Sequence, residues 1–147
     1  MPQLSLHSPL GPLTVSQEDD ALVALDWGWG CMQQETELLF RARDQLHAYF
    51  DGALVAFDLP LAPLGTAFRL KVWDALRAIP FGATRTYGEI ARGIGGSPRA
   101  VGQANRQNPL PILIPCHRVV ARDGIGGFTA EGGMQTKRFL LDHERDQ

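Results

Sequence analysis

Between Thr66 and Pro109 the chain carries a helix start or stop signal about every ten residues, which limits this stretch to short helices packed side by side. Thr66 can cap a helix in which Phe68, Val72, Ala75, Leu76 and Ile79 share a face, and Pro80 followed by Phe81-Gly82 stops it. Thr86 and Glu89 stand three apart as a capping box, Ile90 and Ile94 give a short apolar stripe, and Gly95-Gly96 ends it. Ser97 caps a further helix with Pro98 at its first position, and RAVGQANRQ runs on to the break at Asn108-Pro109. Two short helices joined by a glycine turn form a helix-turn-helix candidate.

Upstream the punctuation changes character. LSLHSP, GPLTVSQ and ALVALDWG are short, partly alternating runs broken by Pro-Leu-Gly-Pro and Gln-Glu-Asp-Asp, as suits a small antiparallel sheet. In TELLFRARDQLHAYF (36–50), Leu39, Ala42, Leu46 and Phe50 fall on one face, so the spacing predicts a helix packed on that sheet. FDLPLAPLGT (57–66) reads as a linker. The expected organisation is an α/β N-terminal lobe with a small antiparallel sheet over 1–60, then a mostly α-helical C-terminal lobe containing the helix-turn-helix over 66–147. No apolar run approaches a bilayer span, and MPQLSLHSPLGPL lacks the basic region and continuous apolar stretch of a signal peptide. The expected compartment is the cytoplasm, with no membrane partner.

The net charge of −2 conceals an asymmetry. Residues 1–65 hold nine acidic side chains against Arg41 and Arg43, a net −7, whereas 66–147 hold twelve basic and seven acidic ones, a net +5. Within 85–122 the bases are Arg85, Arg92, Arg99, Arg106, Arg118 and Arg122 against the single acid Glu89. All six are arginine, the residue suited to bidentate phosphate contact, so this region reads either as a solvated surface or as a nucleic-acid footprint. The second helix of the pair favours the latter. Ala100, Val101, Gly102 and Ala104 are small and allow close backbone approach, while Arg99, Gln103, Asn105, Arg106 and Gln107 can bond phosphates or base edges. A helix of small residues also packs tightly on a neighbour for purely structural reasons.

The two cysteines, Cys31 and Cys116, do not make a disulfide framework, and with the four histidines they show no metal-ligand spacing, so both read as free thiols and no metal is expected. Cys116 stands in IPCHRVV, inside an otherwise apolar run. Pro115 removes a backbone donor and forces a turn-like chain, which takes Cys116 out of any regular strand. An adjacent His117 and Arg118 tend to favour the nucleophilic thiolate, and a base is what a thiol needs to lose its proton near neutral pH.

With these residues in view, the chain resembles the O6-alkylguanine-DNA alkyltransferase family, also called methylated-DNA–protein-cysteine methyltransferases. The resemblance is carried by FRLKVWDALRAIPFGATRTYGEIA, RAVGQAN and PILIPCHRVV in this order, followed by a Gly-rich loop and a helix ending LLDHE. It covers roughly residues 66–147. It implies that Cys116 is the alkyl acceptor, His117 the base acting through a water, and Glu144 the carboxylate that orients it. It further implies that Tyr87 hydrogen-bonds the extruded guanine, that Arg99 takes the place of that base in the stack, and that Asn108 holds the turn between recognition helix and active-site segment. The backbone near Cys116 and Val119 would accept from the guanine amino group. Thr86, Ala100, Gln103, Arg106 and Arg118 join Arg99 as expected DNA contacts, and Pro115, Phe128 and Thr129 join the pocket.

The chemistry is coherent on its own terms. An alkyl group on guanine O6 sits inside the duplex, so the nucleotide must be flipped, at a cost of a few kcal/mol offset by an inserted side chain and by phosphate contacts. Sulfur then attacks an sp³ carbon in line, and the resulting thioether is not readily reversed, so the protein acts once. No cofactor is implied, and the partner is duplex DNA containing O6-alkylguanine, with O4-alkylthymine a further candidate and no obligate protein partner. Two departures stand out: Phe128 where many relatives have tyrosine, and a Cys116-to-Glu144 spacing one residue longer. The alternatives are a non-catalytic sensor of alkylated DNA, which would lack the cysteine, and a helix-turn-helix regulator, which would not need PCHR.

Overall fold

The structure, a computed structural model, describes residues 1–126 and 133–146. The chain divides into two compact units, Met1–Leu64 and Gly65–Gln147.

In the first unit β1 (Gln3–Leu6), β2 (Leu13–Glu18) and β3 (Ala21–Trp27) form an antiparallel meander in that order. The register sets Leu4 opposite Val15 and Val15 opposite Leu25, so one face is continuously apolar. Helix α1 (Glu37–Phe50), capped by Thr36, packs on β1 and β2 and buries Leu39, Ala42, Leu46 and Tyr49. Steps of three, four and three residues keep these four on one side of the helix. Tyr49, not Phe50, therefore completes the stripe; Phe50 is half-buried and meets the Tyr49 ring edge-on at 5.2 Å between centroids. On the opposite sheet face the Ser5 and Thr14 hydroxyls lie 2.8 Å apart, and Gly30 N–H and Gln33 Nε2 donate to Ser5 Oγ at 2.9 and 2.8 Å. The segment after β3 thus satisfies polar groups that the sheet buries.

In the second unit α2 (Ala67–Arg77), α3 (Tyr87–Ile94) and α4 (Pro98–Arg106) pack on one another. Each begins where its capping chemistry puts it. Thr66 Oγ1 accepts from Arg69 N–H at 3.2 Å, and Ser97 Oγ accepts from Ala100 N–H at 3.1 Å. The capping box of α3 is complete: Thr86 N–H donates to Glu89 Oε1 at 2.9 Å and Glu89 N–H to Thr86 Oγ1 at 3.1 Å. Gly95, at φ +80°, ends α3 in the left-handed conformation that glycine tolerates. Val72, Trp73, Leu76, Ile90, Val101 and Ala104 are buried between these helices, each of the larger ones stabilising the unit by about 1.5–3 kcal/mol. Trp73 Nε1 also donates to the Ala104 carbonyl at 2.9 Å, tying α2 to α4.

Two further pieces place the thiol segment. Strand β4 (Arg85–Thr86) pairs in parallel with β5 (Val119–Val120), Arg85 opposite Val119 and Thr86 opposite Val120. Because β4 leads directly into α3, this pair sets Tyr87, the first residue of α3, beside the chain that leaves Arg118. A 3₁₀ turn, Cys116–Arg118, precedes β5, and helix α5 (Met134–Arg145) packs on it. Among the described residues no helix is long and apolar enough to cross a membrane.

Candidate active site

Pro115, at φ −78° and ψ 68°, breaks the run after Ile114 and starts the 3₁₀ turn, so Cys116 sits in a turn as its proline neighbour implied. Three sets of hydrogen bonds fix it. Cys116 N–H donates to the Ile114 carbonyl at 2.7 Å and Arg118 N–H to Pro115 at 3.0 Å. Asn108 Nδ2 donates to the Ile114 carbonyl at 2.8 Å, and its Oδ1 accepts from Leu110 N–H at 2.9 Å. Asn105 Nδ2 reaches the Cys116 carbonyl at 3.2 Å. Asn105 is thereby a correction: read as a DNA-facing polar residue, it is 4% exposed and points inward.

Behind the turn lies a buried charge cluster. His117 Nε2 and Glu144 Oε2 are 2.7 Å apart. Arg118 donates through Nε to Glu144 Oε1 at 2.8 Å, through Nη2 to Oε2 at 2.9 Å, and through Nη1 to the Ile79 carbonyl at 2.7 Å. His117 and Glu144 are 0% and 3% exposed, and Arg118 only 7%. Arg118, expected among the DNA contacts, is therefore spent on Glu144. A buried carboxylate beside a guanidinium fork takes both its oxygens into charge-assisted bonds, and with Nη1 on the Ile79 carbonyl the buried guanidinium is turned inward and not presented to a phosphate.

This arrangement decides the histidine tautomer. A carboxylate only accepts, so the bond to Glu144 requires the proton on Nε2, leaving a lone pair on Nδ1. Nδ1 is buried and has no hydrogen-bond partner among the described residues. Burial lowers the pKa of His117, outweighing the hydrogen bond to Glu144, so the ring is a neutral base at pH 7.

Cys116 departs from the expected resting thiolate. It is 5% exposed, and burial pushes its pKa up to about 11 from an ordinary 9.0, against the opposing hydrogen bond from Asn108 and the charge of Lys137. Losing that proton to water at pH 7 costs about 5 kcal/mol at roughly 1.4 kcal/mol per unit. The neighbours His117 and Arg118 do not offset this, because one is neutral and the other is committed to Glu144.

Lys137 is a component that sequence reasoning missed. It is 0% exposed, its Nζ donates to the Val119 carbonyl at 2.7 Å, and it lies 5.9 Å from the centroid of the Tyr87 ring. Burial lowers its pKa to about 8, while Cys116 pulls the other way. One signal was available: Lys137 shares a helix face with Leu140 and Glu144, three and seven residues on, both buried. Val119, assigned to substrate through its backbone, uses its carbonyl at least in part for this lysine.

Tyr87 is half-buried and held between two glycines. A Cβ on Gly126 would come within 3.0 Å of Tyr87 Oη, at a backbone φ of +79°, and one on Gly102 would sit 3.9 Å from the ring. Only Gly126 is required by this fit, since 3.9 Å at position 102 is an ordinary van der Waals contact. Tyr87, with Pro98 and Ala121, lines both of two open clefts. One, of about 690 Å³, is lined by Arg99, Gly102, Gln103 and Arg106 with Ala121 and Gly126; the other, of about 680 Å³, by Thr86, Gly88, Arg92 and Arg122. Arg99, Gln103 and Arg106 are exposed on the outer face of α4, with Ala100 partly covered, opposite the buried Val101, Ala104 and Asn105. Thr86 serves α3 as its cap. Phe128 and Thr129 lie outside the described residues. Cys31 is exposed and belongs to the other unit.

Comparison with known proteins converges on one family. The model for the 6-O-methylguanine DNA methyltransferase DNA-binding domain matches residues 67–146, and that for the ribonuclease-like domain of the same enzyme matches 4–63. The chain is 44% identical to a methylated-DNA–protein-cysteine methyltransferase of Methanosarcina acetivorans, covering 94% of each. It is 43% identical to the constitutive enzyme of that name from Bacillus subtilis, over 95% of this chain and 92% of that one. Among solved structures, Mycobacterium tuberculosis O6-methylguanine methyltransferase superposes with a TM-score of 0.88 at 40% identity, over 99% of this chain and 93% of that one. The M. tuberculosis OGT in complex with DNA gives 0.90 at 41% identity, over 99% and 94%.

Proposed function

The chain belongs to the 6-O-methylguanine DNA methyltransferase family, and from that premise we propose that it repairs duplex DNA by direct reversal, moving the alkyl group of O6-alkylguanine to Cys116 Sγ once per molecule. The observation that carries the assignment to Cys116 is the relay behind it: a neutral His117 whose proton is pinned on Nε2 by Glu144, with its Nδ1 lone pair turned to no other protein group among the described residues. The sensor and regulator alternatives have no use for such a relay.

In the resting protein the thiol is neutral, which protects a single-use group from oxidation and stray electrophiles. When the damaged base is extruded, the Cys116 proton passes to His117 Nδ1 through a water, and Glu144 stabilises the imidazolium that forms. The S–C bond forms as the C–O6 bond breaks, and the electron pair leaves on the guanine. The Lys137 ammonium and the Asn108 amide stabilise the sulfur anion in transit. Tyr87, backed by Lys137, donates a hydrogen bond to the departing base, which takes up one proton from water while the His117 imidazolium returns the Cys116 proton to water, so that one proton passes in net from thiol to guanine. Arg99, Gln103 and Arg106 hold the duplex through α4, Arg99 filling the vacated stack, with Ala100 and Thr86 at the same surface. Pro115 and Val119 complete the pocket. The second unit carries all of this chemistry. A reaction that consumes a free thiol fits a reducing compartment, and we place the protein in the cytoplasm.

The test is to follow the DNA. After incubation with a duplex containing O6-methylguanine, nucleoside analysis should find guanine restored in an unbroken strand. An abasic site, an excised base or released methanol would refute direct reversal.

A further inference from the structure

Asn105 lies on the buried face of α4 beside Val101 and Ala104, 4% exposed, where an aliphatic side chain would ordinarily serve the core better. Its amide is only half satisfied. Nδ2 donates to the Cys116 carbonyl at 3.2 Å, whereas Oδ1 is buried without a hydrogen-bond partner among the described residues. Turning the amide over gives no relief, because Oδ1 would then face the Cys116 carbonyl oxygen, acceptor against acceptor. An oxygen buried without a protein partner opposes folding. What asparagine does here that leucine cannot is donate to Cys116.

That bond reaches the reacting residue from an informative direction. The Cys116 carbonyl also accepts from Val119 N–H, which closes the 3₁₀ turn. Its peptide plane is therefore fixed locally by the turn and remotely by α4, whose outer face presents Arg99, Gln103 and Arg106. Asn108, three residues on, holds the Ile114 carbonyl from the same end of α4. We propose that Asn105 is a positioning residue for alkyl transfer: its Nδ2–H ties the peptide of Cys116 to the recognition helix, so that Sγ is held on the line of attack when DNA is seated on that helix. This rests on the reading of Cys116 as the alkyl acceptor.

Two substitutions separate positioning from scaffolding. Asn105→Leu keeps the shape, removes the donor and also removes the unsatisfied oxygen. It should melt at or above the wild-type temperature and bind an O6-methylguanine duplex with unchanged affinity, yet transfer methyl about 10- to 100-fold more slowly in single-turnover assays. Asn105→Asp restores a donor only when the buried carboxyl is protonated. Its rate relative to wild type should rise as pH falls from about 8 to about 6, while the Asn105→Leu ratio stays flat. The ionisable groups around the turn, Cys116, His117 and Arg118 with Lys137 and Glu144 from α5, are common to all three proteins and cancel in these ratios. Transfer by Asn105→Leu at the wild-type rate, a loss of rate that only tracks a loss of melting temperature, or a pH-independent Asn105→Asp ratio would each overturn the proposal. Absence of transfer in the wild type itself would instead remove the functional reading beneath it, and shows before any variant is made.

Discussion

Replacing Glu144 by glutamine changes one atom in the buried cluster, and its consequences can be worked out bond by bond. Both carboxylate oxygens accept from Arg118, at 2.8 and 2.9 Å, and Oε2 also faces His117 at 2.7 Å. In Glu144→Gln one of those positions becomes an NH₂ group pointed at a donor, and the Arg118 charge, 7% exposed, loses its counter-charge. Breaking a buried pair on one side costs about 3–5 kcal/mol, a fall of about 2 M in urea midpoint at an m-value of about 2 kcal/mol/M. Adding Arg118→Met removes the stranded charge. The double variant should recover a good part of that loss, with a coupling energy of at least about 2 kcal/mol across the cycle. The rate should behave differently: methyl transfer stays about 100-fold down in both Glu144→Gln and the double variant, because neither has a carboxylate to stabilise the imidazolium. Urea denaturation and single-turnover transfer measured on all four proteins test this. Additive stabilities, or a Glu144→Gln protein that transfers at the wild-type rate, would refute the reasoning.

Stability should also carry the mark of the buried lysine and thiol. The folded pKa of Lys137 is lowered to about 8 from 10.5, so between those values the unfolded chain binds the extra proton and stability rises with pH; that of Cys116 is raised from 9.0 to about 11, so over that range stability falls. Wild type should therefore gain stability between about pH 8 and about pH 9, and Lys137→Met should not; urea midpoints that rise equally in both would contradict the burial of that ammonium. Arg99→Ala should slow repair of duplex DNA far more than reaction with the free base O6-benzylguanine, since a stack-filling side chain has nothing to do for a base already extruded. Equal losses on the two substrates would argue against that role.

How much of this could be read from the chain depends on the range of the interaction. The helix starts at Thr66, Thr86 and Ser97 were legible because a cap is satisfied within three residues of itself, and so was the turn at Pro115, where a missing donor and a fixed φ act locally. The β4–β5 pair was not: two residues on each side carry no periodicity, and their pairing spans more than thirty positions. Counting charge placed Arg118 with the other arginines, since nothing in sequence shows that Glu144 waits 26 residues downstream. The same blindness put Asn105 on the DNA face and left Lys137 unread, because lysine is a surface residue by default and only its place on the Leu140–Glu144 stripe marked it as buried. The thiolate was expected from adjacent cationic neighbours, yet desolvation is a property of the packed turn and decides the outcome.

The claim on which the rest depends is that one buried sulfur takes the alkyl group and keeps it. Intact mass spectrometry after exposure to excess O6-methylguanine duplex, followed by peptide mapping, tests it most directly. The prediction is a single added methylene unit per chain, confined to the peptide containing Cys116, and none in Cys116→Ser although that variant still binds the DNA. Guanine restored in excess of protein, or a methyl found on any other peptide, would contradict it.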